Sequence, residues 1–328
     1  MSDNDLTPAK RLLIVIVNYR TPTLTVDCLH ALAREVNFVP GTKVIVVDND
    51  SGDRSLEHIE VAIQTQGWSD WATILAAPRN GGYAFGNNLA IRPALVAPNP
   101  PDYFLLLNPD TIARSGAIKA LVDFMEEHPH VGIAGSRLED PDCTPQCSAF
   151  RFHTIWSELD AGLRLGVVSR LLSKWIVAPP VSEVACSTDW VAGASMIIRC
   201  EVFESVGLMD EAYFMYYEEV DFCLQAKKAG WSCWYVPESR VVHLVGQSSG
   251  VTNTKVPPKR RPQYWFDSRG RYFLKNHGRL YASLADFFWL LGFILWRGRK
   301  IVQRKPDCDP PQFLTDFFRH SILIKGSR

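Results

Sequence analysis

Residues 103–110 read Tyr-Phe-Leu-Leu-Leu-Asn-Pro-Asp, an apolar run that ends on a polar turn. Similar runs occupy 12–17, 43–47 and 73–77. Continuous apolar runs without alternation are typical of parallel strands covered on both faces. Amphipathic stretches after Thr21-Pro22 and over 115–128 predict intervening helices. The pattern predicts an α/β fold with a doubly wound, mostly parallel sheet flanked by helices.

Polar residues follow each of these four runs. They are Asn18-Tyr19, Asp48-Asn49-Asp50, the segment 78–82 and Asn108-Pro109-Asp110. In open α/β sheets, ligands bind beyond the carboxyl ends of the strands. One such ending is ordinary turn chemistry, as Asn-Pro-Asp is, but four in succession indicate a binding site.

Two later features add charge. Glu218 and Glu219 directly precede a helix predicted over 220–229, whose second residue is Asp221. Three carboxylates so close together repel one another unless a cation or a pKa shift relieves the repulsion. Asp221 alone fits a helix cap or a first-turn acid, but capping uses only one acid. His243 ends a strand predicted over 240–244, before a Gly- and Ser-rich stretch at 246–250. A lone His is usually structural, but here it is a candidate metal ligand.

The composition fits a soluble globular protein, with 328 residues, 47% apolar and 21% charged, and a net charge of zero. It excludes global disorder and a multi-span membrane protein, and it gives no indication of nucleic-acid binding. Segment 255–305 nevertheless holds thirteen Lys and Arg against two Asp, which predicts an anionic partner such as a membrane surface. Eight scattered cysteines and a polar N-terminus predict a reduced, cytoplasmic protein.

In their order along the chain, these motifs resemble family 2 glycosyltransferases of the GT-A fold, most closely the bacterial rhamnosyltransferase-like branch. The matching stretches are 16–19, 46–51, 80–88, 105–110, 191–194, 210–221 and 242–243. The resemblance implies a nucleotide-sugar glycosyltransferase domain over 1–250. A basic, apolar and helical C-terminal extension would follow over 251–328.

The resemblance also implies roles for individual residues. Donor binding falls on Val17, Tyr19, Asp48, Asn49, Asn80, Asn87, Asn108 and Asp110. Asp110 and His243 would hold a divalent cation, Mg²⁺ or Mn²⁺, with Asn108 in place of the first acid of the family's metal motif. Gly193, Ala194 and Glu218 would contact the acceptor. Glu219 falls on the catalytic base, where the family has Asp, so either glutamate could act, and we assign the base to Glu219.

The implied reaction is inverting transfer of a sugar from a nucleotide-diphosphate donor to an acceptor hydroxyl. Within this branch dTDP-rhamnose is favoured over UDP- and GDP-sugars, and the acceptor is a glycan or a polyprenyl-diphosphate-linked sugar of cell-surface polysaccharide synthesis. The alternative is a non-catalytic sugar-nucleotide- or glycan-binding pseudoenzyme on the same fold. Pyrophosphorylases and nicotinamide dehydrogenases need a Gly-rich loop after the first strand, and 18–22 contains no Gly.

The extension contains a seventeen-residue apolar run at 280–296, interrupted by Asp286. This is shorter than the ~20 residues of a confident membrane span. Trp289, Trp296 and the basic cluster at 297–300 suit a segment in a bilayer interface, with contact through 280–305. A helix packed on the domain or on another subunit fits the pattern as well. The basic surroundings favour contact with a membrane, and the family resemblance implies a peripheral position on the inner face of the cytoplasmic membrane. The sequence does not indicate an oligomeric state.

Overall fold

The computed structural model describes residues 10–244 and 258–325. The strands are β1 Leu12–Asn18, β2 Lys43–Asp48, β3 Ala72–Ala76, β4 Tyr103–Leu107, β5 Thr111–Ala113, β6 Val131–Glu139, β7 Ala149–Phe150, β8 Cys186–Thr188, β9 Trp190–Val191, β10 Ser195–Arg199 and β11 Ser232–His243. The helices are α1 Pro22–Glu35, α2 Ser55–Thr65, α3 Gly82–Leu95, α4 Ala117–Glu127, α5 Ile155–Leu163, α6 Gly166–Leu171, α7 Cys200–Val206, α8 Glu218–Lys228, α9 Gln263–Val302, α10 Phe313–His320 and α11 Ile322–Lys325, with a 3₁₀ turn at Ser173–Trp175.

The main sheet has the strand order β3-β2-β1-β4-β10-β6-β11-β5, and β8 pairs with β11. Strands β1 to β4 run parallel, and so do β6 and β11. Strand β10 is antiparallel to both β4 and β6. The carboxyl ends of the first four strands therefore lie at one edge, which is where the sequence predicts a binding site.

Both faces of the sheet are buried, as the unbroken apolar runs predict. In β1, Leu12, Ile14 and Ile16 belong to the core under α1, α2 and α4, whereas Leu13 and Val15 belong to the core under α3, α7 and α8. This alternation follows from the two-residue period of a strand. The predicted mixed α/β architecture with a mostly parallel central sheet and a helical extension is confirmed.

Several predicted boundaries are wrong. Helix α8 begins at Glu218, so both glutamates lie in its first turn instead of preceding it. The segments at 231–236 and 240–244 form one strand, β11, whose pairing with β6 shifts register between Val236 and Arg240. Helix α4 begins only at Ala117, after Gly116 with a positive φ of 81°. The Gly- and Ser-rich stretch at 246–250 and the 250/251 domain boundary lie outside the described residues.

The extension packs on the rest of the chain through a buried ion network. Arg269 of α9 pairs with Glu158 of α5, at 2.6 Å between Nη2 and Oε2, and with Asp286 further along α9. The backbone N–H of Ile322 donates to Asp286 at 2.5 Å, which ties α11 to the same group. All three charged side chains are at most 6% exposed. Asp286, which interrupts the apolar run, therefore has a structural partner inside the protein.

Many cations of the basic segment, for which the sequence predicts an anionic partner, have acidic partners inside the protein. Within the described residues, cations of the extension form ion pairs with acids of the body or of the extension itself: Arg260 with Asp316, Arg271 with Asp210, Lys275 with Asp210 and Asp221, and Arg297 and Lys300 with Asp307 and Asp309. Arg271 and Lys275 thereby join the extension to acids of the body, whereas the other pairs lie within the extension. Only part of the positive charge of the extension is therefore left to attract a partner outside the protein.

Replacing Arg269 by Met should lower the free energy of unfolding by about 3–5 kcal/mol, because Glu158 and Asp286 would stay buried without their cation. Arg271→Met is the matched control two residues along the same helix. Arg271 pairs with Asp210 at the surface, and Lys275 also binds that acid, so its loss should cost about 1 kcal/mol or less. Urea unfolding of both variants measures the difference, and equal losses would contradict a dominant role for the network.

Candidate active site

The ends of β1 and β2 are joined by a buried polar cluster centred on Asp48. Its Oδ1 accepts hydrogen bonds from Asn18 Nδ2 at 2.7 Å and Ser51 Oγ at 2.6 Å, and its Oδ2 accepts one from the Ser51 backbone at 3.2 Å. These hydrogen bonds use both carboxylate oxygens to hold the loop after β2 in place. The sequence predicts that Asp48 binds donor, and its partners inside the protein show a structural role that the sequence missed.

Asn49 connects the end of β2 to the beginning of α3. Its Nδ2 donates to Asn80 Oδ1 and to the Gly82 carbonyl, both at 3.1 Å. Its Oδ1 is buried without a partner among the described residues. Buried polar atoms are nearly always satisfied, so this oxygen is available for a ligand donor such as a nucleoside N–H. The structure thus brings Asn49 and Asn80 together at the sheet edge.

Helix α3 lies close against β1 and the segment before α8. The Tyr83 N–H donates to the Phe214 carbonyl at 3.0 Å. A Cβ on Gly82, whose φ is +86°, would lie 1.8 Å from that carbonyl oxygen, and a Cβ on Gly86 would lie 2.7 Å from Val17 Cγ1. A side chain at Gly82 would therefore collide with the Phe214 backbone, and a side chain at Gly86 would collide with the Val17 side chain. The motif at 80–88 serves packing as well as the predicted donor site.

The remaining predicted donor residues differ in exposure. Val17 is half-buried, and Tyr19 is exposed, with the Arg20 guanidinium 5.1 Å from its ring centroid. Asn87 is fully buried and donates to the Tyr83 carbonyl at 3.0 Å, but its Oδ1 has no partner among the described residues. Tyr19 is accessible to a ligand, whereas Asn87 could offer only its carbonyl oxygen.

Asp110 and His243 are brought together by strand pairing. His243 is opposite Thr111 where β11 pairs with β5, and the Leu244 N–H donates to the Asp110 carbonyl at 2.9 Å. This backbone pairing puts His243 Nε2 3.6 Å from Asp110 Oδ1. One carboxylate and one imidazole at this separation can bind the same divalent cation. Among residues 10–244 and 258–325, no cluster of three His, Cys, Asp or Glu forms a complete protein site.

The predicted acceptor loop lies beside the donor segment. The Asn108 N–H donates to the Ala194 carbonyl at 3.0 Å, and the Tyr83 hydroxyl donates to the Gly193 carbonyl at 2.7 Å. A Cβ on Gly193 would come within 3.0 Å of that hydroxyl. Tyr83 is a site residue that sequence reasoning missed, although it lies inside one of the matching motifs.

The two glutamates at the start of α8, one buried and one partly buried, form no ion pair with any cation of residues 10–244 and 258–325. Glu218 is 4% exposed and Glu219 is partly buried, and the Oε2 atom of each has no hydrogen-bond partner among the described residues. Burial raises the pKa of Glu219 to about 7. Burial and the neighbouring Glu219 charge raise the pKa of Glu218 well above its usual range. A carboxylate that titrates near neutrality is suited to general-base chemistry.

The backbone leading into α8 is strained. Tyr216 and Tyr217 both adopt positive φ angles, 71° and 68°, which non-Gly residues rarely do. Such strain persists where the surroundings over-determine it, and it concentrates at functional sites. The backbone conformation of these two tyrosines sets the direction in which the chain enters α8 at Glu218.

Helix α9 supplies much of the support for this segment. The Ser268 hydroxyl donates to the Met215 carbonyl at 3.0 Å, and the Tyr264 ring stacks 6.2 Å from that of Tyr216. Lys275 pairs with Asp221 at 2.6 Å. Asp221 is therefore a first-turn acid that Lys275 neutralises. The ion pairs of the described residues do not account in the same way for the burial of the two glutamates.

The described site thus combines an asparagine-rich edge at the ends of parallel strands, a pair of residues able to bind a cation, and a carboxylate pair with raised pKa values. The mostly parallel sheet with polar residues at its carboxyl edge has the architecture of the GT-A fold.

A family model described as "Glycosyltransferase like family 2" matches residues 8–256. An N-acetylglucosaminyl-diphospho-decaprenol L-rhamnosyltransferase of Mycobacterium tuberculosis is 31% identical over 157 residues, which is 45% of this chain and 49% of that protein. The dTDP-rhamnosyl transferase RfbF of Shigella flexneri is 24% identical over 280 residues, 84% of each chain. The match therefore spans about half the length of the mycobacterial relative.

Solved structures share the fold at low identity. GalNAc-T7, solved with UDP, GalNAc and Mn²⁺, is 15% identical with a TM-score of 0.60, over 90% of this chain and 54% of that one. The mannosyltransferase PcManGT of Pyrobaculum calidifontis, solved with GDP-Man and Mn²⁺, is 13% identical with a TM-score of 0.53, over 97% and 88%. The chain belongs to the glycosyltransferase like family 2, and both the predicted family and the GT-A fold are confirmed.

Glu219→Gln should stabilise the protein more at about pH 8 than at about pH 5. The carboxyl ionises near its ordinary pKa of 4.5 in the unfolded chain and near 7 in the folded one, so the folded state loses stability as the pH rises between these values. The full difference is on the order of 3 kcal/mol. Denaturant unfolding at both pH values measures it, with the exposed Glu127→Gln as control, and equal effects at both pH values would refute the raised pKa.

Proposed function

We propose that this chain transfers a sugar from a nucleoside-diphosphate donor to an acceptor hydroxyl, with inversion at the anomeric carbon. The observation that carries the proposal is the Glu218-Glu219 pair, whose Oε2 atoms have no hydrogen-bond partner among the described residues and whose pKa values burial raises, that of Glu219 to about 7. A single carboxylate base is sufficient for one in-line displacement. Family membership supports the same reaction.

In the proposed reaction Glu219 accepts the proton of the acceptor hydroxyl as its oxygen forms a bond to the anomeric carbon. The bond from that carbon to the diphosphate oxygen breaks, and the nucleoside diphosphate leaves with the electron pair. Glu219 is favoured over Glu218 because it is the less buried of the two. Glu218 would then position the acceptor, next to the Gly193-Ala194 loop that Tyr83 holds.

The donor pocket is proposed to lie along the sheet edge. Asn49 and Asn87 each have a buried carbonyl oxygen without a partner among the described residues, and Tyr19, which follows β1, is exposed. Relatives named as rhamnosyltransferases, including one named for dTDP-rhamnose, favour that donor. In this proposal Asp48 acts mainly through the loop it shapes.

Asp110 and His243 are the residues that would hold a divalent cation. Their oxygen and nitrogen atoms fit Mg²⁺ or Mn²⁺, and donor phosphates would complete the coordination. When bound, the cation would supply Lewis-acid stabilisation of the charge on the departing diphosphate. The two structural neighbours described above were solved with Mn²⁺, which is consistent with this proposal.

The acceptor is proposed to be a sugar linked to a polyprenyl diphosphate, used at the inner face of the cytoplasmic membrane. The mycobacterial relative is named for a diphospho-decaprenol acceptor, and this supports the same class here. The rival, a pseudoenzyme that binds without turnover, predicts no release of nucleoside diphosphate under any condition.

Glu219→Gln should lower the transfer rate by about a hundredfold or more, because general-base catalysis contributes about 10²–10⁴-fold. In the wild type, kcat/KM should rise with pH through about 7, since the base must be ionised. Glu218→Gln is the matched neighbour and should act more on the acceptor KM. Release of nucleoside diphosphate, followed against pH, measures both effects. Full activity of Glu219→Gln with loss only in Glu218→Gln would move the base to Glu218.

Thermal shift with candidate donors should show stabilisation that depends on Mn²⁺, because a ligand that binds only the native state raises its stability. Asp110→Asn and His243→Ala should abolish the Mn²⁺-dependent part, whereas exposed His58→Ala should keep it. Mn²⁺ binding in the presence of dTDP, measured by calorimetry, gives a readout independent of turnover. Unchanged Mn²⁺ binding in both site variants would refute the assignment of these ligands.

A further inference from the structure

The second half of α9 exposes an uninterrupted apolar stripe. Between 280 and 302, the exposed residues are Leu280, Leu284, Phe287, Leu291, Ile294, Leu295, Gly298, Ile301 and Val302. At 100° per residue these positions fall within a single sector about 120° wide. A solvent-facing helix surface is normally polar, yet this one carries no charged residue over more than five turns.

The opposite face of the same helix segment is already filled. Trp289 stacks on Phe317 of α10, with ring centroids 3.8 Å apart. A Cβ on Gly292 would lie 2.8 Å from the Leu163 backbone nitrogen, so α9 and α5 are in close contact. Helix α9 is therefore apolar on two opposite sides, and packing within the described chain accounts for only one of them.

A neighbouring segment extends the exposed apolar surface. Trp156 of α5 has its ring 6.0 Å from Phe288 of α9 and 6.2 Å from Trp175. Further apolar residues of the α6 region are also exposed: Leu165, Val167 and Leu171. We call the surface formed by the α9 stripe together with Trp156 and Trp175 the apolar face. The sequence did not reveal the part formed by the two tryptophans, which lies in a region without clear periodicity.

Exposed cations lie near the apolar face. From 161 to 182 the chain contains Arg164, Arg170 and Lys174 and no acid, and of these Arg164 pairs with Asp309 at 2.6 Å. At the end of α9, Arg304 and Lys305 are exposed. Exposed leucine, phenylalanine and tryptophan with nearby cations is the composition of segments that lie in the interface of an anionic bilayer.

The structure argues against α9 as a membrane span, although Gln263–Val302 is long and apolar enough to cross a membrane by length and composition. Spanning would expose Asp286 and break its pairing with Arg269, and it would remove Trp289 from Phe317. Gly278, with a φ of 79°, also interrupts the helix. A helix lying in the plane of the interface keeps all of these contacts.

We propose that the apolar face docks on an anionic lipid bilayer with the second half of α9 parallel to the membrane surface. The stripe spacing alone would also suit a helix pair between two copies. Trp156 and Trp175 beside Phe288 make the face broader than such a seam, and the cations would face each other in a symmetric dimer. The docking surface does not depend on the glycosyl-transfer proposal, but it would bring that site to a lipid-linked acceptor.

Flotation of the full chain tests the docking. The wild type should float with vesicles of phosphatidylglycerol and phosphatidylethanolamine and remain at the bottom with phosphatidylcholine alone. Phe287→Glu/Leu291→Glu should lower partitioning by about tenfold or more, because two charges replace inserted apolar side chains. The control Val61→Glu/Val96→Glu places charges at exposed apolar positions elsewhere and should float as the wild type does. Arg170→Gln/Lys174→Gln should lower the fraction of protein that floats with the anionic vesicles.

Thermal unfolding verifies that each variant is folded, and light scattering in the absence of lipid gives the mass in solution. Failure of the wild type to float with anionic vesicles would overturn the proposal, as would unchanged flotation of Phe287→Glu/Leu291→Glu. A wild-type dimer that this double variant converts to a monomer, without vesicle binding, would assign the face to a second copy instead. Loss of flotation with nucleotide-sugar turnover on a soluble acceptor retained would separate docking from catalysis.

Discussion

The burial of two adjacent carboxylates is the constraint on which the rest of this structure depends. Glu218 and Glu219 have no cation beside them in the described chain, and burial raises the pKa of both. Ionising such a group inside a protein costs free energy, so other contacts must hold the segment in place. The strained Tyr216-Tyr217 backbone, the docking of α3 on Phe214 and the contacts from α9 provide this support.

Helix α9 connects the carboxylate pair to the outer surface of the molecule. Its first half contacts the backbone before α8, and its buried Arg269 joins the extension to α5. His153 extends this connection, because it lies 3.3 Å from Glu158 and its ring is 4.9 Å from that of Tyr217. The second half of the helix presents the apolar face. The extension thus packs directly against the segment that leads to the two glutamates, although it follows the segment that the family model matches.

The sequence predicted the features that depend on local pattern. Unbroken apolar runs predicted four parallel strands, and their polar ends predicted where a site would form, because parallel strands share an edge. It could not predict interactions between distant segments. Three such interactions form only in the folded chain. They are the hydrogen bonds of Asp48 with Asn18 and Ser51, the hydrogen bond from Tyr83 to Gly193, and the pairing of Lys275 in the extension with Asp221 of the body. The start of α8 was misplaced because two left-handed tyrosines leave no recognisable sequence signal.

The anomeric configuration of the product tests the account most directly. In the proposed mechanism Glu219 at the start of α8 acts as the one base of a single displacement, in which the acceptor oxygen attacks opposite the departing diphosphate. NMR of the glycoside formed from a nucleotide sugar of known configuration reads this outcome. The account predicts a product of opposite anomeric configuration to the donor, and a product that retains the donor configuration would contradict it.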